Sequence, residues 1–425
     1  MNFAVIGSGG REHAICYKLR ESRKVKKIFC IPGNAGTQKI AENIDLDINN
    51  FKDISDFIKN KKIDLVIVGP EEPLVNGIVD HLKKNGHKVF GPDMFASQLE
   101  GSKAFMKELC KKNNIPTAEF QVFDNFSEAE IYIEKFDAPL VVKSDGLASG
   151  KGVTICKSKD EAKIKTKEIL EGKFKSSKKV VLEQFLEGEE LSYFVIADKN
   201  NYKFFGTAQD HKKVGEGDKG PNTGGMGAYS PSKIINSEIE NKILKKIIEP
   251  TLSAMKNLGH PYEGFLYAGL MICKGEPYLI EYNIRMGDPE CQVLMMRLNT
   301  DLAEIIDNAT SNLLDRIKIN WIKEYCMTIV LCSKGYPEKY KKKVELKNLN
   351  KITSDKHNQI FHAGTYLQNN KIFSNGGRVL NVTSSAKKLK QAREKILKNL
   401  NKINWKEGFF RKDIGWRVID KNEDN

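Results

Sequence analysis

Between Met1 and Pro92 the chain repeats one pattern: a short apolar run, a turn, then a stretch with helical spacing. Phe3–Ile6 reads as a strand, Arg11–Ser22 as a helix and Lys27–Ile31 as a second strand. Leu65–Val68 is a third strand closed by Gly69-Pro70, a helix follows over about Val75–Asn85, and Lys88–Phe90 is a strand ending at Gly91-Pro92. Strands that alternate with helices are joined by crossovers, and crossovers give a parallel sheet with helices on both faces. The N-terminal part is therefore predicted to be a parallel α/β domain. A chain of 425 residues exceeds what one core fills, so more domains must follow.

The longest unit runs from about 101 to 315 and holds Gly-rich strand–loop–strand stretches, Leu140–Cys156 and Gly206–Tyr229. Two apolar strands, Phe265–Cys273 and Pro277–Asn283, close it. Beyond it, 316–425 reads as a smaller α+β domain, with strands at Met327–Cys332 and Arg378–Thr383 and a helix at Ala386–Leu400. The net charge of +14 comes mostly from lysines spread along the chain, which reads as solvated surface rather than a nucleic-acid site. No apolar run approaches the roughly 20 residues of a membrane helix, and the N-terminus lacks the features of a signal peptide. The eight cysteines stand singly with no C-x-x-C, as expected of reduced, mostly buried thiols. The expectation is a cytoplasmic protein with no nucleic-acid or membrane partner.

Gly7-Ser8-Gly9-Gly10 follows a strand and opens a helix, as in dinucleotide-binding folds. Glu12, however, occupies the position where such a fold wants its last small residue, and the second strand ends in Ile31-Pro32-Gly33-Asn34-Ala35-Gly36 without a carboxylate for a ribose hydroxyl. Nicotinamide chemistry is disfavoured. The helix N-terminus with Arg11 suits a phosphate monoester, the alternative being a plain tight turn.

Asp145-Gly146-Leu147-Ala148-Ser149-Gly150-Lys151-Gly152 has one residue too few for a Walker A loop and no Ser or Thr after its lysine. Strand-like residues flank it on both sides, so it reads as a glycine hairpin folded over phosphates. Lys143, ending the preceding strand, and Lys103, opening a helix, can aim cations at the same phosphates. The run Val180–Glu190 takes a strand into a linker whose backbone can meet an adenine edge and whose carboxylates can hold a ribose.

Glu281 and Asn283 lie two apart on a strand and so face one side, an oxygen pair suited to Mg²⁺ shared with ATP phosphates. Arg285, Asp288 and Glu290 follow at once; Arg285 can neutralise a transferring phosphoryl group or clamp a carboxylate. Asp210-His211-Lys212 and Asn222–Gly227 sit in a stretch too long and Gly-rich to be mere connection.

Segments in order along the whole chain resemble the phosphoribosylamine–glycine ligase family of ATP-grasp enzymes. They include Gly9-Gly10-Arg11-Glu12-His13-Ala14, Pro32–Gly36, Val68-Gly69-Pro70-Glu71, Leu99–Lys103, Asp145–Val153 and Gln209–Lys212. Gly220–Pro231, Arg285–Glu290, Phe361–Thr365 and Arg411–Arg417 complete the series. The resemblance implies a pre-ATP-grasp N-terminal domain (1–100), an ATP-grasp domain (101–315) with a mobile lid at about 117–188, and a C-terminal domain that closes the site. It implies an ATP-dependent ligation of glycine to 5-phosphoribosylamine in purine biosynthesis, by a monomer using Mg²⁺ or Mn²⁺.

By position it places Lys103, Lys143, Gly150, Lys151, Gly152, Glu183, Phe185, Leu186 and Glu190 on ATP, and Glu281 and Asn283 on the metal. Gly9, Gly10, Arg11, Glu12, His13, Asn34, Glu71, His211, Lys212 and Asp288 would meet the other substrates, with Arg285, Lys143 and Asp210 as the catalytic groups. Asp210 and Arg285 would also touch substrate. The strand Phe265–Cys273 offers no carboxylate for a second ion.

Overall fold

A computed structural model of the chain describes residues 1–148, 152–174, 178–352 and 354–419. Within these, no helix is long and apolar enough to cross a membrane. The N-terminal sheet is fully parallel, in the order Glu42–Asn43, Lys27–Pro32, Asn2–Gly7, Leu65–Val68, Val89–Phe90. The helix expected over Val75–Asn85 is two helices, Glu71–Val75 and Ile78–Lys84. Gly77 between them has φ +88, which breaks the helical path and which a side chain would resist. A helix not anticipated, Phe51–Asn60, starts at Asn50, whose side chain accepts from the Asp53 amide, and buries Ile54 and Ile58 one turn apart.

The second sheet is antiparallel and passes from the middle of the chain into its C-terminal part. Glu276–Asn283 forms one edge, followed by Glu263–Cys273, Glu189–Asp198, Tyr202–Asp210 and Gly227–Ser230. Gly227–Ser230 then pairs with Tyr325–Ser333, which leads to Arg378–Ala386 and Asn358–His362. The C-terminal strands read from the sequence thus continue the sheet of the central unit. A third sheet, Phe120–Phe123, Val180–Gln184, Leu140–Ser144 and Val153–Cys156, stands apart as an antiparallel unit. In it Lys143 pairs antiparallel with Val153, on either side of the glycine run 145–152, of which residues 149–151 lie outside the described residues.

The cores follow these sheets. One face of the N-terminal sheet (Ala4, Ile6, Phe29, Val66) joins Tyr193, Leu266 and Tyr282 of the large sheet in one apolar cluster. The opposite face (Phe3, Val5, Ile28, Cys30) joins helix Glu290–Arg297 and Phe361 in another. The four-stranded sheet has its own small core, including Ala129, Ile133, Val142 and Leu182. All eight cysteines are free thiols, and only Cys273 is more than marginally exposed.

Candidate active site

A cleft of about 1220 Å³ opens where these units meet. Its walls come from the N-terminal domain (Arg11, Glu71), the four-stranded unit (Lys143, Gly146, Gly152, Phe185), the large sheet (Glu281, Asn283) and the C-terminal part (Tyr336, Arg378). Lys103, Glu183, Leu186, Glu190, Asp210, His211, Lys212, Arg285 and Asp288 complete the set of expected site residues that line it. Gly150 and Lys151 lie outside the described residues. Gly9, Gly10, Glu12, His13 and Asn34 are not among the lining residues described.

At one end stand three lysines. Lys143 Nζ lies 2.9 Å from Glu183 Oε2 and donates to the Ile280 carbonyl at 3.3 Å. Lys107 Nζ reaches the same Glu183 oxygen at 3.0 Å. Glu183 is buried, and its Oε1 has no partner among the described residues. Its side chain therefore anchors the lysines, with one acceptor left over for a donor in the cleft. Lys103 Nζ donates to the Gly146 carbonyl at 2.9 Å, tying the helix Lys103–Lys112 to the root of the glycine hairpin. Asp145 reinforces that tie by accepting from Ser102 Oγ and the Ala104 amide, both at 3.1 Å. Burial lowers the Lys103 pKa and brings that of Lys107 to about 8. Sequence reasoning passed over Lys107; its place one helical turn beyond Lys103 was the available signal.

Glu281 and Asn283 lie between this end and the other. Lys212 Nζ stands 3.5 Å from Glu281 Oε1 and 3.3 Å from Glu190 Oε2. Burial works against ionising Glu281, but Lys212, Lys143 and Lys103 together hold its pKa below the usual range. A carboxylate oxygen already facing an ammonium is disposed to take a cation. With only Glu281 and Asn283 to contribute, a divalent ion here would draw its other ligands from phosphate and water, the mode that suits Mg²⁺. Among the described residues no cluster of three His, Cys, Asp or Glu side chains forms a self-sufficient metal cage.

Arg285 organises the opposite end. Its Nη2 donates to Glu100 Oε1 at 2.8 Å, its Nε to Glu71 Oε2 at 3.1 Å and its Nη1 to the Met286 carbonyl at 3.2 Å. Arg285 depresses the Glu71 pKa to about 2, whereas burial pushes Glu100 up to about 7 despite the same guanidinium. Glu100 lies three residues before Lys103, inside the segment Leu99–Lys103, and adds a largely buried carboxyl to the residues expected at the site. Burial, with Glu290 nearby, raises the Asp210 pKa well above the usual range. His211 Nε2 accepts from the Gly415 amide at 3.0 Å, and burial holds its pKa at about 4, so the ring is neutral with its proton on Nδ1.

The Gly7–Arg11 turn departs from the phosphate cradle expected of it. Glu12 Oε2 accepts from the Gly9 amide at 2.6 Å, and Glu12 Oε1 lies 2.6 Å from Arg11 Nε. Asp288 Oδ2 accepts weakly from the Arg11 amide at 3.4 Å. The helix N-terminus is thus filled by the chain's own carboxylates. A Cβ on Gly69 would come within 2.1 Å of Glu12 Oε1, so the carboxyl group is fitted between the two strand ends. His13 and Asn34 face the C-terminal part: His13 Nδ1 accepts from the His362 amide at 2.8 Å, and Asn34 Nδ2 donates to the His362 carbonyl at 2.9 Å and to the Ser8 carbonyl at 2.8 Å. These two residues join domains.

Comparison with known proteins agrees with this three-part layout. The N, ATP-grasp and C domains of phosphoribosylglycinamide synthetase match residues 1–100, 101–291 and 326–417. The chain belongs to the phosphoribosylglycinamide synthetase family. It is 46% identical to the phosphoribosylamine–glycine ligase of Brucella melitensis over 100% of both chains. The crystal structure of phosphoribosylamine–glycine ligase from Thermotoga maritima superposes with a TM-score of 0.82 at 32% identity, covering 97% of this chain and 100% of that one. The biotin carboxylase domain of Hydrogenobacter thermophilus 2-oxoglutarate carboxylase shares the fold, with a TM-score of 0.73 at 16% identity over 96% of this chain and 91% of that one. As a phosphoribosylglycinamide synthetase family member with an ATP-grasp domain, the chain is an ATP-using ligase that forms carbon–nitrogen bonds.

Proposed function

We propose that the protein joins glycine to 5-phosphoribosylamine, giving glycinamide ribonucleotide, ADP and phosphate, the second step of purine nucleotide synthesis in the cytoplasm. One observation carries the reading: a single cleft holds Lys103 and Lys143 beside Gly146 at one end and the Arg285–Glu71–Glu100 clamp at the other. Glycine's carboxylate oxygen attacks the γ-phosphorus of ATP, the bond to the β,γ-bridging oxygen breaks, and ADP leaves. The amine nitrogen of phosphoribosylamine then attacks the acyl carbon, phosphate departs, and the nitrogen loses a proton.

Lys103 and Lys143 bind the ATP phosphates beneath the hairpin 146–152, in which Gly150, Lys151 and Gly152 take part. Phe185 and Leu186 flank the adenine beside the spare oxygen of Glu183, and Glu190 holds the ribose. Glu281 and Asn283 hold Mg²⁺ or Mn²⁺, which when bound offsets phosphate charge. Arg285 and Lys143 stabilise charge on the transferring phosphoryl group. Asp210, His211 and Lys212, with Arg11, Glu71 and Asp288, orient glycine and the amine. Asp210, in its ionised form, is placed to accept the amine's proton. The unit at about 117–188 moves as a lid and excludes water from the acyl phosphate. The domains divide near 100 and 315, and the enzyme works as a monomer.

Phosphate release with ATP, glycine and freshly generated phosphoribosylamine tests the proposal. Release should need all three; release that persists without glycine or without the amine would assign a different reaction.

A further inference from the structure

If phosphoribosylamine is the acceptor, its phosphate needs a cationic pole away from the triphosphate. Most cations of the cleft are already spoken for. Arg285 is held by Glu71 and Glu100, Lys212 by Glu190 and Glu281, and Arg417 by Asp218 at 2.7 Å. Arg11, the expected phosphate ligand, is neutralised by Glu12 at 2.6 Å, and the same carboxylate occupies the Gly9 amide. A phosphate there would have to evict a fitted carboxylate.

Arg378 differs from all of these. It opens the strand Arg378–Ala386, lines the cleft with its side chain 22% exposed, and its Nη1 donates only to the backbone carbonyls of Gly224 and Asp288. Among the described residues no carboxylate oxygen comes nearer to it than 3.7 Å. Its Nε and Nη2 hydrogens have no recorded acceptor among the described residues, so a planar pair of donors remains for a tetrahedral anion. Tyr336 stands beside it: its hydroxyl accepts from the Gly224 amide at 3.0 Å, which leaves its own hydrogen to donate. Lys339 and Lys342, exposed on the same wall, add positive charge at the rim.

The geometry points to Arg378, with Tyr336 and the Lys339–Lys342 rim, as the site that takes the phosphate monoester of the amine substrate. This rests on the proposed function and moves the phosphate from the N-terminal turn to the C-terminal wall. The Gly224 that Arg378 holds precedes Gly225, whose Cβ would come within 2.7 Å of Asp210 Oδ1, so the anion would lie on the Asp210 side of the cleft.

Calorimetric titration with glycinamide ribonucleotide and with its dephosphorylated riboside, beside ATP, tests the assignment. The full-length protein should prefer the nucleotide, and Arg378→Gln should weaken nucleotide binding by about 10- to 100-fold, since a charge-assisted pair is lost. Its riboside and ATP affinities should stay near their starting values. Arg378→Lys should recover part of the preference. The exposed pair Lys339→Gln/Lys342→Gln, which cannot disturb a core, should cut it several-fold at low salt only. An unchanged preference in Arg378→Gln or in the lysine pair overturns the assignment, as does equal loss of both ligands. Failure of the unsubstituted protein to make the nucleotide from glycine, ATP and the amine would instead remove the proposed function.

Discussion

The four-stranded unit and the rest of the molecule are held by different forces. The N-terminal sheet buries one face against the ATP-grasp helices and strands and the other against helix Glu290–Arg297 and Phe361, so three domains share two apolar cores. The four-stranded unit keeps its core to itself and meets its surroundings through polar groups, Lys103 to Gly146, Lys107 to Glu183 and Ser102 to Asp145. Shared apolar burial makes a rigid frame. Polar ties can be remade with a charged ligand, and this is why the four-stranded unit is the part proposed to move while the acceptor end stays set.

The comparison is breakable at several points. Phe361→Ala, in a core common to the N- and C-terminal parts, should cost about 3–5 kcal/mol and lower a single melting transition of the whole chain. A separate early transition confined to the C-terminal part would deny the shared frame. Glu281→Ala should reduce turnover on the order of 100-fold with an unaltered melting temperature, because the frame does not depend on it. Near-normal activity at ordinary Mg²⁺ would remove Glu281 from the metal site.

Acidification tests the seam between domains. Burial, with Lys39 nearby, lowers the His13 pKa to about 3, so folding favours the neutral ring. Its stabilising contribution is intact above the unfolded pKa of about 6.5 and is lost as pH falls towards 3, reaching about 2 kcal/mol at pH 5. Thermal melts of His13→Gln should therefore show a flatter pH dependence than the parent between pH 7 and 5. The smallest effect belongs to the four-stranded unit proposed as a lid: Ile133→Val should lower the free energy of its amide-exchange opening by about 1 kcal/mol and leave the frame's amides alone.

Much of this was readable from residue order. The βα rhythm of the first hundred residues, the strands that flank the glycine run at Lys143 and Val153, and the paired Glu281 and Asn283 are local patterns, fixed by side-chain period and glycine placement. What escaped was non-local. That Gly227–Ser230 would pair with Tyr325–Ser333 and carry one sheet across a domain limit has no short-range signal. Glu12, an oddity in a glycine motif, turned out to be the group that fills the helix N-terminus, and His13 and Asn34 gained partners more than 300 residues away. Arg378 gave no sequence signal beyond its type, because its value lies in having only the distant Asp288 as a carboxylate neighbour, 3.7 Å away.

The central claim is that one cleft phosphorylates a carboxyl group and hands it to an amine. Glycine labelled with ¹⁸O in both carboxylate oxygens, turned over with ATP and phosphoribosylamine, tests this directly. One labelled oxygen should appear in each phosphate released. Unlabelled phosphate, with both label atoms absent from it, would contradict the account.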